Sequence, residues 1–197
     1  WLGKTNTASV IVEELLDNNI PVLIIDPTDA WYGLLSSKSG KQEGYPVAVF
    51  GGQHGHMPVS EHDGKTLAEF CVLERVPMVL SIRHLRKGAQ RRLVRELFEE
   101  LYHLKGKPEN RTPLTVVIDE APLFIPQVVK GDEALVVGAV EDLVNRGRNA
   151  GLGVVLISQR SATINKNVFD MSEAMIVHRS TGPRDRKAFK DWIEENV

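Results

Sequence analysis

Leu114-Thr115-Val116-Val117-Ile118-Asp119-Glu120-Ala121 is the stretch on which the reading of this chain turns. Apolar and β-branched residues run directly into two acids, and a run this short and this apolar reads as a strand buried on both faces, the kind used in parallel sheets. Comparable runs lie at residues 20–26, 47–50, 76–82, 153–158 and 174–177. Helical patterns fall between several of them. Residues 89–105 place Leu93, Leu97 and Leu101 at i, i+4 and i+8, with Val94, Phe98 and Tyr102 beside them, so one apolar stripe faces a core and the other face carries charge. Residues 5–17, 133–149 and 184–195 are further helix candidates, the last opened by Gly182-Pro183. Strand alternating with helix implies an α/β fold with a parallel sheet and right-handed crossovers. Residues 31–45 and 51–64 read as surface loops.

The chain has 197 residues, 42% hydrophobic and 25% charged, which suits one domain with a real core. Its net charge of -2 excludes a globally basic nucleic-acid coat and a polybasic membrane binder, so any grip on a polyanion is local. A single cysteine, Cys71, excludes an intrachain disulfide framework and a multi-cysteine zinc site, and fits a reducing cytosol. No apolar run approaches the ~20 residues needed to span a bilayer, and no signal peptide is visible, so a cytoplasmic protein is expected. His54, His56 and His62 share one loop, but their spacing matches no standard ligand pattern, and they read as solvated side chains.

Two further elements give the acid pair a chemistry. Gly3-Lys4-Thr5-Asn6 precedes a helix and matches the end of the phosphate-binding loop G-x-x-x-x-G-K-[ST]. In that loop backbone N–H groups wrap the phosphates, the lysine reaches the β and γ oxygens, and the hydroxyl holds magnesium. The first glycine of the pattern has no counterpart, so part of the loop is expected to be missing, and a longer protein is expected before Trp1. Taken alone, Gly-Lys-Thr is an ordinary helix start. Joined to the acid pair it forms a set: Asp119 and Thr5 as the magnesium-side residues, Gly3, Lys4, Thr5 and Asn6 as nucleotide-binding residues, and Glu120 as the acceptor of a proton from the water that attacks the γ-phosphate. The third element is the run 153–158, which ends at Ser158-Gln159-Arg160.

The ordered set GKTNTA at 3–8, LIIDP at 23–27, VVIDEA at 116–121, RGRNAGLGVVLISQR at 146–160 and TGPRDRKA at 181–188 resembles the HerA-FtsK superfamily, and within it HerA-like ATPases. The resemblance covers essentially the whole chain. It implies a RecA-like P-loop NTPase fold, a mostly parallel sheet flanked by helices, forming a single ATPase domain over 1–197 without the N-terminal β-barrel that such proteins usually carry. It implies ATP and Mg2+ as ligands and a homo-hexameric ring with ATP sites between subunits. It also implies translocation on double-stranded DNA, as a translocase or helicase working with a nuclease or other effector in DNA end processing or anti-phage defence. In a RecA-like sheet Gln159 falls near the γ-phosphate, where its amide can sense nucleotide state. An arginine from the neighbouring subunit completes such sites, and Arg146 and Arg148 are the candidates, with Arg160 and Arg179 behind them. Residues 161–167, with Lys166, are the candidate pore-facing loop. The cluster Arg83, Arg86, Lys87, Arg91, Arg92 and Arg95 reads instead as a solvated, intersubunit or salt-bridged face, because Glu96, Glu99 and Glu100 follow at once. The alternative function is a nucleotide-regulated ring that scaffolds an effector with little translocation. A metabolite kinase lacks support, since no lid or acceptor signature is visible.

Overall fold

The computed structural model describes residues 3–37, 40–180 and 182–196. Five short apolar runs form one sheet: β1 (Val22–Asp26), β2 (Ala48–Gly51), β3 (Met78–Ser81), β4 (Leu114–Ile118) and β5 (Leu152–Leu156). Their order is β2-β3-β1-β4-β5 and every neighbouring pair is parallel. The central position of β1 explains its composition: all five residues are buried, as is required of a strand covered by helices on both faces. The acid-ended strand β4 lies between β1 and β5, with Ile118 opposite both Ile25 and Leu156.

Because side chains alternate across a strand, each strand feeds two cores. Leu23, Ile25, Val116 and Ile118 face one side, where they meet Leu67 and Cys71 of α2 (Gly64–Leu73), Leu93, Leu97 and Leu101 of α3 (Lys87–Gly106), and Val136, Val140 and Leu143 of α4 (Glu133–Arg146). Val22, Ile24 and Val117 face the other, with Ala8 and Val12 of α1 (Gly3–Asp17) and with Trp31 and Leu34. Two helices follow β5: α5 (Lys166–Asp170) and α6 (Pro183–Asn196). The stripe expected along 89–105 is the buried face of α3. Near the end of that helix Lys105 is buried, and its Nζ donates to the carbonyls of Asn110 and Thr112, tying the turn into β4. Burial pushes the Lys105 ammonium below its ordinary value.

Four local expectations are corrected. Residues 174–177 pair with no strand among the described residues, and Ile176 and Val177 are 64% and 50% exposed; the composition suits a strand but the stretch has no ladder to join, and the recorded tie of its neighbour His178 is to Thr7 of α1 (3.1 Å). Residues 31–45 are not simply a surface loop: Trp31–Leu35 forms a 3-10 turn that buries Trp31 and Leu34. Directly after the loop at 51–64 comes helix α2, which the reading leaves without an element, although Leu67, Ala68, Cys71 and Val72 carry a helical stripe. The helix expected over 133–149 stops at Arg146, and a 3-10 turn, Gly147–Ala150, leads to Gly151, whose φ of 74° ends it. In the histidine loop, His54 stacks on Tyr32 with ring centroids 3.7 Å apart, His56 Nδ1 accepts from the Val49 N–H, and His62 lies 3.6 Å from Glu61. Among the described residues no helix is long and apolar enough to cross a membrane.

Candidate nucleotide site

The C-terminal ends of β1, β4 and β5 meet where the acid pair leaves the sheet. The ladder runs one residue past β4, through the Asp119 N–H to the Ile25 carbonyl (3.1 Å) and the Ile157 N–H to the Ile118 carbonyl (3.0 Å). Glu120 then adopts a left-handed backbone, φ 47°, a conformation that costs a non-glycine residue energy and recurs at functional turns. The turn separates the two acids. Asp119 points inward at 8% exposure, its Oδ2 accepting from the Trp31 indole Nε1 (3.0 Å) and its Oδ1 from the Glu120 N–H (2.9 Å). Glu120 instead borders a cleft of about 460 Å³ that Thr28, Leu123, Gln159, Arg160 and Thr163 also line. Within it the Gln159 amide Nε2 donates to Glu120 Oε1. The Gln-ended strand β5 pairs directly with the acid-ended strand β4, and Gln159 is in direct contact with Glu120.

Burial pushes the Asp119 carboxyl above the usual carboxylate range; the hydrogen bonds from Trp31 and Glu120 oppose that, while the charges of Asp26 and Glu120 reinforce it. Such a carboxylate is poised to gain from a cation. The Asp119 and Glu120 carboxylates, on either side of that turn, and the amide oxygen of Gln159 are hard oxygen donors of the kind that Mg2+ takes, directly or through its waters. The residue set therefore fits a magnesium-bound nucleotide.

Of the phosphate-loop residues, Thr5 and Asn6 are exposed in the first turn of α1, where unpaired helix N–H groups favour an anion. The side chain of Lys4 lies outside what the structure describes. Ala8 and Val12 of the same helix share a core with Trp31 and Val117, which places α1 on the sheet face that those residues line. Arg146 and Arg148 do not join this cluster within the chain. Arg146 pairs with Asp142 (3.1 Å) and Arg148 with Glu173 (3.0 Å), with side chains 68% and 84% exposed. Arg160 is the candidate that borders the Glu120 cleft. The segment 161–167 is more ordered than a loop: a 3-10 turn, Ser161–Thr163, precedes α5, Asn165 caps that helix, and Lys166 pairs with Asp170 at 3.9 Å. In the basic cluster Arg91 meets Asp132 and Glu133, Arg92 meets Glu61, and Arg95 meets Glu96 and Glu99.

Two residues at the site escape the sequence reading. Asp26 ends β1 fully buried and accepts five hydrogen bonds from residues 28–31, and Trp31 holds Asp119. An acid at the end of a fully apolar strand, as in LIIDP, is the signal that marks Asp26; nothing local marks Trp31, which reads as one aromatic in a polar stretch.

A parallel sheet with an acid pair at the end of an inner strand, a glutamine on the next strand and a helix entered through Gly-Lys-Thr defines the RecA-like P-loop NTPase fold. The family described as the central domain of helicase HerA matches residues 2–176, and the chain belongs to that family. It is 25% identical over 134 residues to the DNA double-strand break repair helicase HerA of Pyrococcus furiosus, covering 66% of this chain and 24% of that protein. It is 25% identical over 136 residues to the probable DNA double-strand break repair helicase HerA of Methanocaldococcus jannaschii, with 66% and 25% coverage. The match thus spans about a quarter of the length of these relatives. Among solved structures, the genome packaging NTPase B204 of Sulfolobus turreted icosahedral virus 2 in complex with AMPPCP shares the fold, with a TM-score of 0.60 at 14% identity over 98% of this chain and 78% of that one.

Proposed function

We propose that this domain is an ATP-hydrolysing motor that acts on double-stranded DNA as part of a homo-hexameric ring. The observation that carries the reading is the arrangement at the end of β4: Asp119 fixed and buried, Glu120 turned into the cleft, and the Gln159 amide on the Glu120 carboxylate. Gly3, Lys4, Thr5 and Asn6 bind the phosphates, and Thr5 and Asp119 would hold a magnesium ion, which would supply charge neutralisation to the phosphates. Glu120 takes the proton of the attacking water. Gln159, bonded to that carboxylate, couples its position to the γ-phosphate. Arg146 or Arg148 acts on the neighbouring subunit's site. The similarity to a DNA double-strand break repair helicase supports duplex DNA as the track, and a nuclease or other effector is the proposed partner, in end processing or anti-phage defence.

Glu120→Gln tests the chemistry. The amide keeps the shape and loses the base, so nucleotide binding should persist while hydrolysis falls by about 10² to 10⁴. Turnover at the wild-type rate would remove Glu120 from the mechanism.

A further inference from the structure

Asp119 is held by a part of the chain that the proposed reaction does not otherwise use. Asp26 closes β1 with both carboxylate oxygens turned onto the following residues. Its Oδ1 accepts from the Thr28 N–H, the Thr28 Oγ1 and the Asp29 N–H at 2.7–2.9 Å, and its Oδ2 accepts from the N–H groups of Ala30 (2.7 Å) and Trp31 (2.8 Å). Five donors on one buried carboxylate fix the path of the backbone up to Trp31. The loop is pinned from outside as well. Asp29, at φ 61°, accepts from Ser81 Oγ at the end of β3 (2.6 Å) and from the Gln53 N–H beyond β2 (3.0 Å). The Trp31 ring that emerges from this loop is 4% exposed, packed with Ala8 and Val12 of α1 and Val117 of β4, and its single polar atom is spent on Asp119 Oδ2.

We infer that Trp31 is a positioning residue for Asp119, orienting its carboxylate toward the nucleotide's magnesium through the indole N–H, with Asp26 as the anchor of the loop that carries it. The inference rests on the reading of Asp119 as a magnesium-side residue. With Oδ2 held by a buried indole and Oδ1 by the adjacent N–H, rotation of the carboxylate is restrained and the lone pairs left over keep one orientation.

The test is binding of a fluorescent ADP analogue to the protein with and without Mg2+, in wild type and in Trp31→Phe, which keeps an aromatic ring and loses the N–H. Wild type should bind the analogue more tightly with Mg2+. In Trp31→Phe the metal-free affinity should be unchanged and the tightening by Mg2+ reduced on the order of tenfold, the usual scale for groups that orient a metal's ligands. The double variant Trp31→Phe/Asp119→Asn should be no worse than Asp119→Asn alone. If Trp31→Phe does not fold, the benzothiophene analogue of tryptophan at position 31 replaces only the N–H by sulfur and should give the same loss. Equal Mg2+ tightening with and without the N–H overturns the inference, as does a double variant in which the two losses multiply. A wild type whose affinity ignores Mg2+ overturns the reading of Asp119 itself, and the inference with it.

Discussion

Cys71 shows how far burial alone sets a side chain's chemistry. It sits at 1% exposure among the residues joining α2 to the sheet, and burial pushes its thiol up to about 12, only partly offset by the Lys105 ammonium. In the unfolded chain a thiol titrates near ~8.5. Above that pH the unfolded state has lost a proton that the native state keeps, so the thiol's contribution to stability is complete below about pH 8.5 and drains away up to about pH 12. The stability advantage of wild type over Cys71→Ala, measured by denaturant unfolding, should therefore shrink between pH 8 and pH 11. An advantage that stays constant would mean that the thiol is not sequestered. Burial acts in the same direction on Asp119 at the site, where it raises the carboxyl above the usual carboxylate range.

At the scale of elements, the helices are set by how closely they can approach. Gly64 opens α2 against the backbone of α3: a Cβ there would lie 2.7 Å from Glu96 Cβ and 2.8 Å from the Leu97 nitrogen. Gly64→Ala must separate the two helices, and thermal unfolding should show a loss of about 1–3 kcal/mol. A variant as stable as wild type would show that α2 yields without cost. The same contact explains one limit of the sequence reading. The strands β1 to β5 and helix α3 are legible because their pattern is local, a short apolar run or a stripe at i and i+4. Helix α2 is missed although it carries a stripe at Leu67, Ala68, Cys71 and Val72, because it is only ten residues long and follows directly on a turn-rich loop. Residues 174–177 mislead for the converse reason: Ile176 and Val177 suit a strand, but a strand exists only with a ladder partner. At the site, Asp119, Glu120 and Gln159 are legible because they punctuate strands, whereas Trp31 becomes significant only when folding carries it 88 positions along the chain to Asp119.

For the whole molecule, a net charge of -2 means that the proposed hold on duplex DNA must come from a few local cations. Arg146 and Arg148 lie on the surface in exposed ion pairs, and such pairs hold side chains weakly, as the proposed role on a neighbouring subunit requires. Arg146→Ala or Arg148→Ala should leave nucleotide binding largely intact and cut hydrolysis, on the order of 10³ if the arginine acts as a finger on the transferring phosphoryl group. Mixed with Glu120→Gln subunits in one ring, the inactive arginine variant should regain activity wherever an intact Glu120 faces an intact arginine. Mixed rings with no regained activity for either arginine would place the complete site within one chain. The most direct measurement of the proposed motor is steady-state ATP turnover by the assembled wild-type protein, with and without double-stranded DNA. Turnover should rise several-fold when duplex is added, because a motor spends ATP on its track. A rate that DNA leaves unchanged would contradict the account and identify the ring as a nucleotide-regulated scaffold.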